Sequence, residues 1–242
     1  MKKFILIILF LLSSYTANAQ VIISLIFGET LNTGKIEFGL DGGLTWATMD
    51  GIEDAKYLRT WNLGFYFDIK LADPSWMIHT GVIVKSTLGT KNAPLYSLND
   101  ADLDSVFIGG SVTTRLKYFD VPIMMKYKFE NNIYVEGGVS LGLIHGATDI
   151  FTNSVQEEDD LTYERDVLKS YHLLDAGIMI GVGYRLLGGD GMNLGMRYYH
   201  GLVDVYVDDT VPNRYNRSFY ITLGIPIGAH SPSEDEKNRI SH

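Results

Sequence analysis

Eight stretches of this 242-residue chain alternate apolar and polar residues with a period of two, and the connections between them run long, short, long, short, long, short, long. A period of two puts every second side chain on the same side of a strand, so each stretch has one apolar face and one polar face. In Trp61–Lys70, Trp61, Leu63, Phe65, Phe67 and Ile69 share one face, while Asn62, Gly64, Tyr66, Asp68 and Lys70 share the other. No amphipathic helix divides residues this way. The pattern predicts strands over 36–46, 59–70, 76–86, 115–128, 133–145, 171–185, 192–201 and 217–227. The short joins 71–75, 129–132 and 186–191 carry Asp-Pro, Asn-Asn and Gly-Gly-Asp-Gly turn chemistry, and the stretches 47–58, 87–114, 146–170 and 202–216 are long and polar. One set of loops free to grow, opposite turns that only reverse the chain, is the rhythm of an all-β, eight-stranded antiparallel up-and-down transmembrane β-barrel.

The start of the chain agrees with export. Met1-Lys2-Lys3 is a basic n-region, Phe4–Leu12 an apolar core, and Ala17-Asn18-Ala19 an A-x-A cleavage site, which predicts a signal peptide over 1–19. A periplasmic segment is then expected over 20–35, where Val21–Phe27 reads as a plug or as structure packed under the barrel rim. The barrel follows over 36–227, with a polar periplasmic tail over 228–242. With an even strand count both termini fall in the periplasm, the long loops face outward, and the location is the outer membrane. The chain has no Cys, so disulfides and thiolate metal sites are excluded. Its formal net charge of −9 argues against a nucleic-acid partner. The partners such a barrel implies are outer-membrane lipid and lipopolysaccharide, the barrel assembly machinery during insertion, and an envelope protein.

Parity assigns the interior. Glu37, Asp41, Asp68, Asp120, Glu136 and Asp175 are predicted to point into the lumen, together with Lys70, Lys85, Lys126, Arg185 and Arg197. A slip of one residue would place all of them in hydrocarbon. A barrel of eight strands is filled by side chains, so these residues are expected to form a salt-bridged plug, with Asp120 and Lys126 each engaged by a neighbouring strand. Small inward residues (Gly64, Gly138, Gly177) are expected to accept Ala better than Leu. Aromatics gather at the segment ends, Trp46, Trp61, Tyr171, Tyr198 and Phe219 at one and Phe38, Trp76, Phe129 and Tyr184 at the other, as interface girdles do.

The fourth segment reads Tyr118-Phe119-Asp120-Val121-Pro122-Ile123-Met124-Met125-Lys126-Tyr127. This strand resembles the Y-L-E-I-P-L-L-L-K-Y strand of the Bacteroidetes outer-membrane β-barrel family that includes PorT-like proteins. Leu31–Lys35 with Gly39, Asp41 and Gly42-Gly43 is similar to openings in that family. The resemblance implies an eight-stranded barrel and carries no biochemical activity. Within the strand, Pro122 cannot donate a ladder hydrogen bond and predicts a local distortion.

Catalytic motifs are thin: no G-x-S-x-G, Walker A or H-E-x-x-H occurs. His145, His200 and Ser140 are the parts from which a lipid-modifying rim enzyme would have to be assembled. Asp100-x-Asp102-x-Asp104 opens like an EF-hand, but Ser105 and Ser111 stand where Gly and Glu are required. Glu157–Asp160 and Asp208-Asp209 are acidic loop runs that read first as solvated and second as divalent-cation ligands. The expectation is therefore a non-enzymatic envelope barrel without cofactor or metal, with structural or interaction work. The rivals are a soluble exported lipocalin-like binder and the lipid-modifying enzyme.

Overall fold

Strands with one apolar face leave two unpaired edges unless the sheet curls until its first strand meets its last. The computed structural model, which describes residues 34–154, 161–189 and 191–227, shows that closure. Its strands are β1 (Ile36–Asp50), β2 (Leu58–Lys70), β3 (Trp76–Ala93), β4 (Ser111–Lys128), β5 (Ile133–Asn153), β6 (Leu161–Asp166), β7 (Leu174–Arg185), β8 (Asn193–Gly201) and β9 (Tyr215–Pro226). All except β6 form a ring of eight in chain order, every pair antiparallel. The ring closes through β1 and β9, from Gly39↔Pro226 to Asp50↔Tyr215. β6 pairs with the far end of β5 and stands outside the ring. The signal peptide, nearly all of segment 20–35, the acidic run Glu157–Asp160 and the tail 228–242 lie outside the described residues.

At the long-loop end the strands run further than the alternation indicates. β1 reaches Asp50, β3 Ala93 and β5 Asn153, while β4 begins at Ser111. Much of the predicted loops 87–114 and 146–170 is therefore strand, and with β6 and the short helix α1 (Ala101–Val106) it forms a cap above the barrel. The reason is a parity change. Val84-Lys85 of β3 face the single residue Phe119 of β4, shifting register between Ile83↔Asp120 and Ser86↔Tyr118. His145 is likewise an extra residue in β5, between Tyr118↔Ile144 and Lys117↔Gly146. A bulge moves every later side chain to the opposite face, so a strict period breaks where the strand does not.

The same bulge corrects one interior assignment. Lys85 points outward, its Nζ 3.4 Å from the centroid of the Trp61 ring. Lys70 sits exposed at the turn-end rim. Tyr171 leaves the aromatic girdle as well: it is 6% exposed and packs edge-on to Tyr206 inside the mouth. Pro122 does not distort the wall, since the β3–β4 ladder skips Val121 and Pro122 yet keeps register from Thr80↔Ile123 to Ile83↔Asp120. The distortion lies nearer the long-loop end, at the two bulges.

The outer wall is apolar and the inner wall is not. Phe65, Ile123, Val139 and Ile178 are 40–46% exposed on the outside, whereas Asp68, Lys126 and Arg197 are 1–6% exposed on the inside. That distribution overturns the lipocalin-like reading, which needs an apolar interior. No described helix is long and apolar enough to cross a membrane.

Close strand contact is built into the wall by glycine. A Cβ at Gly81 would lie 2.0 Å from the Phe65 carbonyl oxygen, and one at Gly64 2.3 Å from the Val82 oxygen. Backbone cannot yield as a side-chain tip can, so even Ala is strained at Gly64. Gly81→Ala should cost about 1–3 kcal/mol or more. Gly137→Ala, whose Cβ meets nothing nearer than 3.8 Å, should leave stability nearly unchanged. Urea unfolding of the two variants in lipid vesicles checks the contrast.

Candidate functional site

The lumen is the place where sequence and fold concentrate chemistry, and it is layered. At the turn end Arg185 forks onto Glu37, with Nη1 to Oε1 at 3.0 Å and Nη2 to Oε2 at 2.6 Å. Tyr66 donates its hydroxyl to the same carboxylate at 2.9 Å. Two-pronged contact of this kind fixes geometry as well as charge.

The next layer is a connected network. Asp68 takes Lys126 Nζ on Oδ2 at 2.7 Å and His79 Nδ1 on Oδ1 at 2.6 Å. Arg197 reaches Glu136 through Nε and Asp41 through Nη1, both at 2.5 Å, and its Nη2 lies 3.0 Å from His79 Nε2. A guanidinium can only donate, so His79 Nε2 accepts from Arg197 and Nδ1 carries the proton given to Asp68. His79 is thus the link between two ion clusters. Lys126 also lies over the Tyr134 ring, 4.2 Å from its centroid. The space left among Asp41, Tyr66, His79, Lys126, Tyr134 and Arg197 is about 10 Å³, room for about one water.

Above this network the plug changes character. Asp120 and Asp175 flank Gly142, to which both pair in register, and no cation forms an ion pair with either among the described residues. Asp175 accepts from Asn216 Nδ2 at 2.8 Å and from Tyr199. A Cβ on Gly142 would stand 2.8 Å from Asp120 Oδ1, so the missing side chain makes room for the carboxylate. Asp120 is therefore buried, but it is not engaged in the charge pair predicted for it. Asp120→Asn removes a buried charge without an opposite partner and should leave stability unchanged or raise it. Asp68→Asn strands Lys126 and should cost about 3 kcal/mol or more. Urea midpoints measured in parallel distinguish the two.

The long-loop end is filled by apolar groups. Met49, Leu88, Leu116, Tyr118, Ile144, Met179 and Tyr220 pack in one buried cluster, with Val205 from the loop 202–214 closing it. That loop is stitched over the mouth by His172 N to Val205 O at 2.9 Å and Val207 N to Ser170 O at 3.0 Å. Salt bridges close the lower half of the lumen; hydrocarbon and tyrosine close the upper.

The cap has its own small core, Phe107, Val112 and Phe151. Beside it lies an open groove of about 270 Å³ lined by Leu95, Tyr96, Leu98, Phe107, Ile108 and Phe151. Tyr96 donates to Asp149 Oδ2 at 2.8 Å, and partial burial first, then the Asp149 charge, push its phenol upward. It stays a donor across the physiological range. The aspartates that open like an EF-hand are turn formers: Asp100 caps α1 by accepting from Asp102 N and Leu103 N, and Asp104 accepts from Ser97 Oγ and Leu98 N. Asp208 similarly holds Thr210.

The would-be catalytic parts do not meet. Ser140 is 3% exposed and faces the lumen, while His145 stacks on Phe119 outside with ring centroids 4.4 Å apart. His200 is exposed on the outward face of β8. The wall stands between nucleophile and both imidazoles.

His79 and Tyr66 are central to the network and are not among the residues that the charge pattern singles out. A signal for both exists in the alternation: His79 shares parity with Met77 and Gly81, and Tyr66 with Asp68.

A family profile described as "Outer membrane protein beta-barrel domain" matches residues 9–207. A comparison with curated proteins returns no match. Among solved structures the chain is similar to Ail, the attachment invasion locus protein of Yersinia pestis, at 10% identity and TM-score 0.41, covering 79% of this chain and 99% of that one. It is also similar to Neisserial surface protein A, at 12% identity and TM-score 0.41, covering 79% and 96%. OprG from Pseudomonas aeruginosa is similar at 13% identity and TM-score 0.39, covering 79% and 95%.

Proposed function

The chain belongs to the outer membrane protein β-barrel domain family, and from that premise we propose that it is a closed, non-enzymatic barrel whose work is structural or interactive at the cell envelope. The observation that carries this reading is closure at three levels: the Glu37–Arg185 fork, the Asp68–Lys126–His79–Arg197 network and the apolar mouth under Val205. A lumen filled in this way has no water column to conduct through. In this reading the termini lie in the periplasm, and the cap of β4, β5, β6 and α1 stands outside the cell, where its groove meets an envelope or surface partner. Lipopolysaccharide surrounds the wall, and the assembly machinery inserts it. The finer placement among PorT-like Bacteroidetes barrels rests on the Tyr118–Tyr127 strand.

Planar-bilayer recordings should show no stable porin-like conductance, and a steady large open state would end the proposal of a closed barrel. Protease added to intact cells should cut within 87–114 or 146–170 and spare the tail after Gly228. Cleavage of the tail alone would reverse the topology.

A further inference from the structure

The outer wall is not uniformly apolar, and its exception is one-sided. Just above the apolar belt, β2, β3 and β4 present Arg59, Lys85, Lys91, Arg115 and Lys117 outward, with Lys56 bridged to Lys91 through the backbone. These side chains are exposed, and none has a carboxylate partner among the described residues. The outward positions of the same three strands hold no Asp or Glu at all, in a chain whose formal net charge is −9. Acids stand only at the edges of the patch: Glu53 and Asp54 in the loop beside Lys56, where Asn92 Nδ2 bonds the Asp54 carbonyl at 3.0 Å, and Glu164 and Asp166 beyond β5, on β6. The opposite wall is different: its cation Arg217 is held by Asp50 at 2.8 Å and by the Gly201 carbonyl at 2.7 Å.

Register makes these cations one patch. Thr87 of β3 faces Lys117 of β4, and Gly89 faces Arg115, while same-face neighbours on adjacent strands and along a strand lie about 5–7 Å apart. Gly89, at φ +123 and with a Cβ position 2.1 Å from the Thr114 oxygen, must stay glycine, so the surface between Lys91 and Arg115 is a shallow dip. Immediately below are Trp61 under Lys85, and Phe119 with His145 stacked on it. Hydrocarbon contact and unpaired positive charge therefore meet along one rim.

We propose that this patch binds the phosphate groups of an anionic glycolipid of the lipid A class, with its acyl chains lying on the belt below. A bis-phosphorylated amphiphile fits because both halves of its chemistry are matched at the same height. Its presence in the outer leaflet rests on the topology proposed above; the binding itself does not.

The protein, folded in zwitterionic detergent, is titrated with bis-phosphorylated lipid A, dephosphorylated lipid A or inorganic phosphate, and the thermal midpoint is read from heat-modifiable gel mobility. Lipid A should raise the midpoint, and the other two should not at equal concentration. K85Q/R115Q/K117Q, exchanged at exposed outward positions, should fold and bind lipid A at least tenfold more weakly, whereas R217Q should bind as the unaltered chain does. Added salt should weaken the effect, as it does for exposed charges. Equal lipid A binding by the triple variant would overturn the site. So would an equal response to dephosphorylated lipid A, which would mean acyl contact alone, or to inorganic phosphate, which would mean an anion site without the lipid. Should the triple variant not fold, K117Q and R115Q singly carry the same test. Failure here leaves the protease result untouched, so the two readings fail separately.

Discussion

Replacing Arg197 by Met is expected to cost about 3–5 kcal/mol or more, enough to remove the heat-modifiable folded band under ordinary refolding conditions. Arg197 is 6% exposed and serves Glu136 and Asp41 at once, with His79 as a third partner. Its loss leaves two buried carboxylates without the guanidinium that pairs them, and it also removes the donor that fixes the His79 ring. Breaking a buried pair is costly because the remaining ion keeps its desolvation penalty, whereas removing all of the charges together is often neutral. The variant Arg197→Met combined with Asp41→Asn and Glu136→Gln should therefore regain most of the lost stability. Urea unfolding in vesicles of all three proteins checks it. A single variant as stable as the parent would mean that the network is not what holds the lower half of the barrel together.

Alternation makes the faces of the wall legible. Parity alone places Asp68, Glu136 and Lys126 inward, and each is buried at 1–6% exposure. Parity says which face a side chain takes; it does not say which residue meets it across a lumen. Lys126 of β4 finds Asp68 of β2, two strands away, and Arg185 of β7 finds Glu37 of β1. Such pairings depend on barrel tilt and closure, which no local pattern encodes. This is also why Asp120, expected to meet a charge on a neighbouring strand, ends instead beside Asp175 over Gly142. Lys85 departs from its expected face for a different reason. One inserted residue in β3 inverts the parity of every later position in the strand, and a bulge has no signature in the alternation except its interruption. The cap is hidden by the same effect together with a change of solvent. Beyond Lys117 the outward residues no longer meet hydrocarbon, so Thr148, Thr152 and Arg115 replace leucine and valine, and a strand reads as loop.

The membrane face gives the second large effect. Arg placed at Phe65, Val139 or Ile178 should cost about 2–4 kcal/mol where the side chain lies near the bilayer midplane, and less toward the rims. These residues are 40%, 46% and 46% exposed outside, and Val139 sits in the ladder row Ile123↔Val139↔Ile178, midway between Phe119 and Tyr127 on the outward face of β4. An arginine there has neither water nor a carboxylate within reach. Asp68→Leu and Glu136→Leu act on the other face, where the first strands Lys126 and the second leaves Arg197 with Asp41 as its one carboxylate, and so should also destabilise. The two series together fix inside and outside. Were Arg at all three outer positions to leave folding into vesicles unchanged while Leu at Asp68 and Glu136 improved it, the charged face would be the one that meets lipid-free solvent, and the wall would have to be turned inside out. Between these outcomes the direction of each shift in urea midpoint, read at fixed vesicle composition, is sufficient to decide.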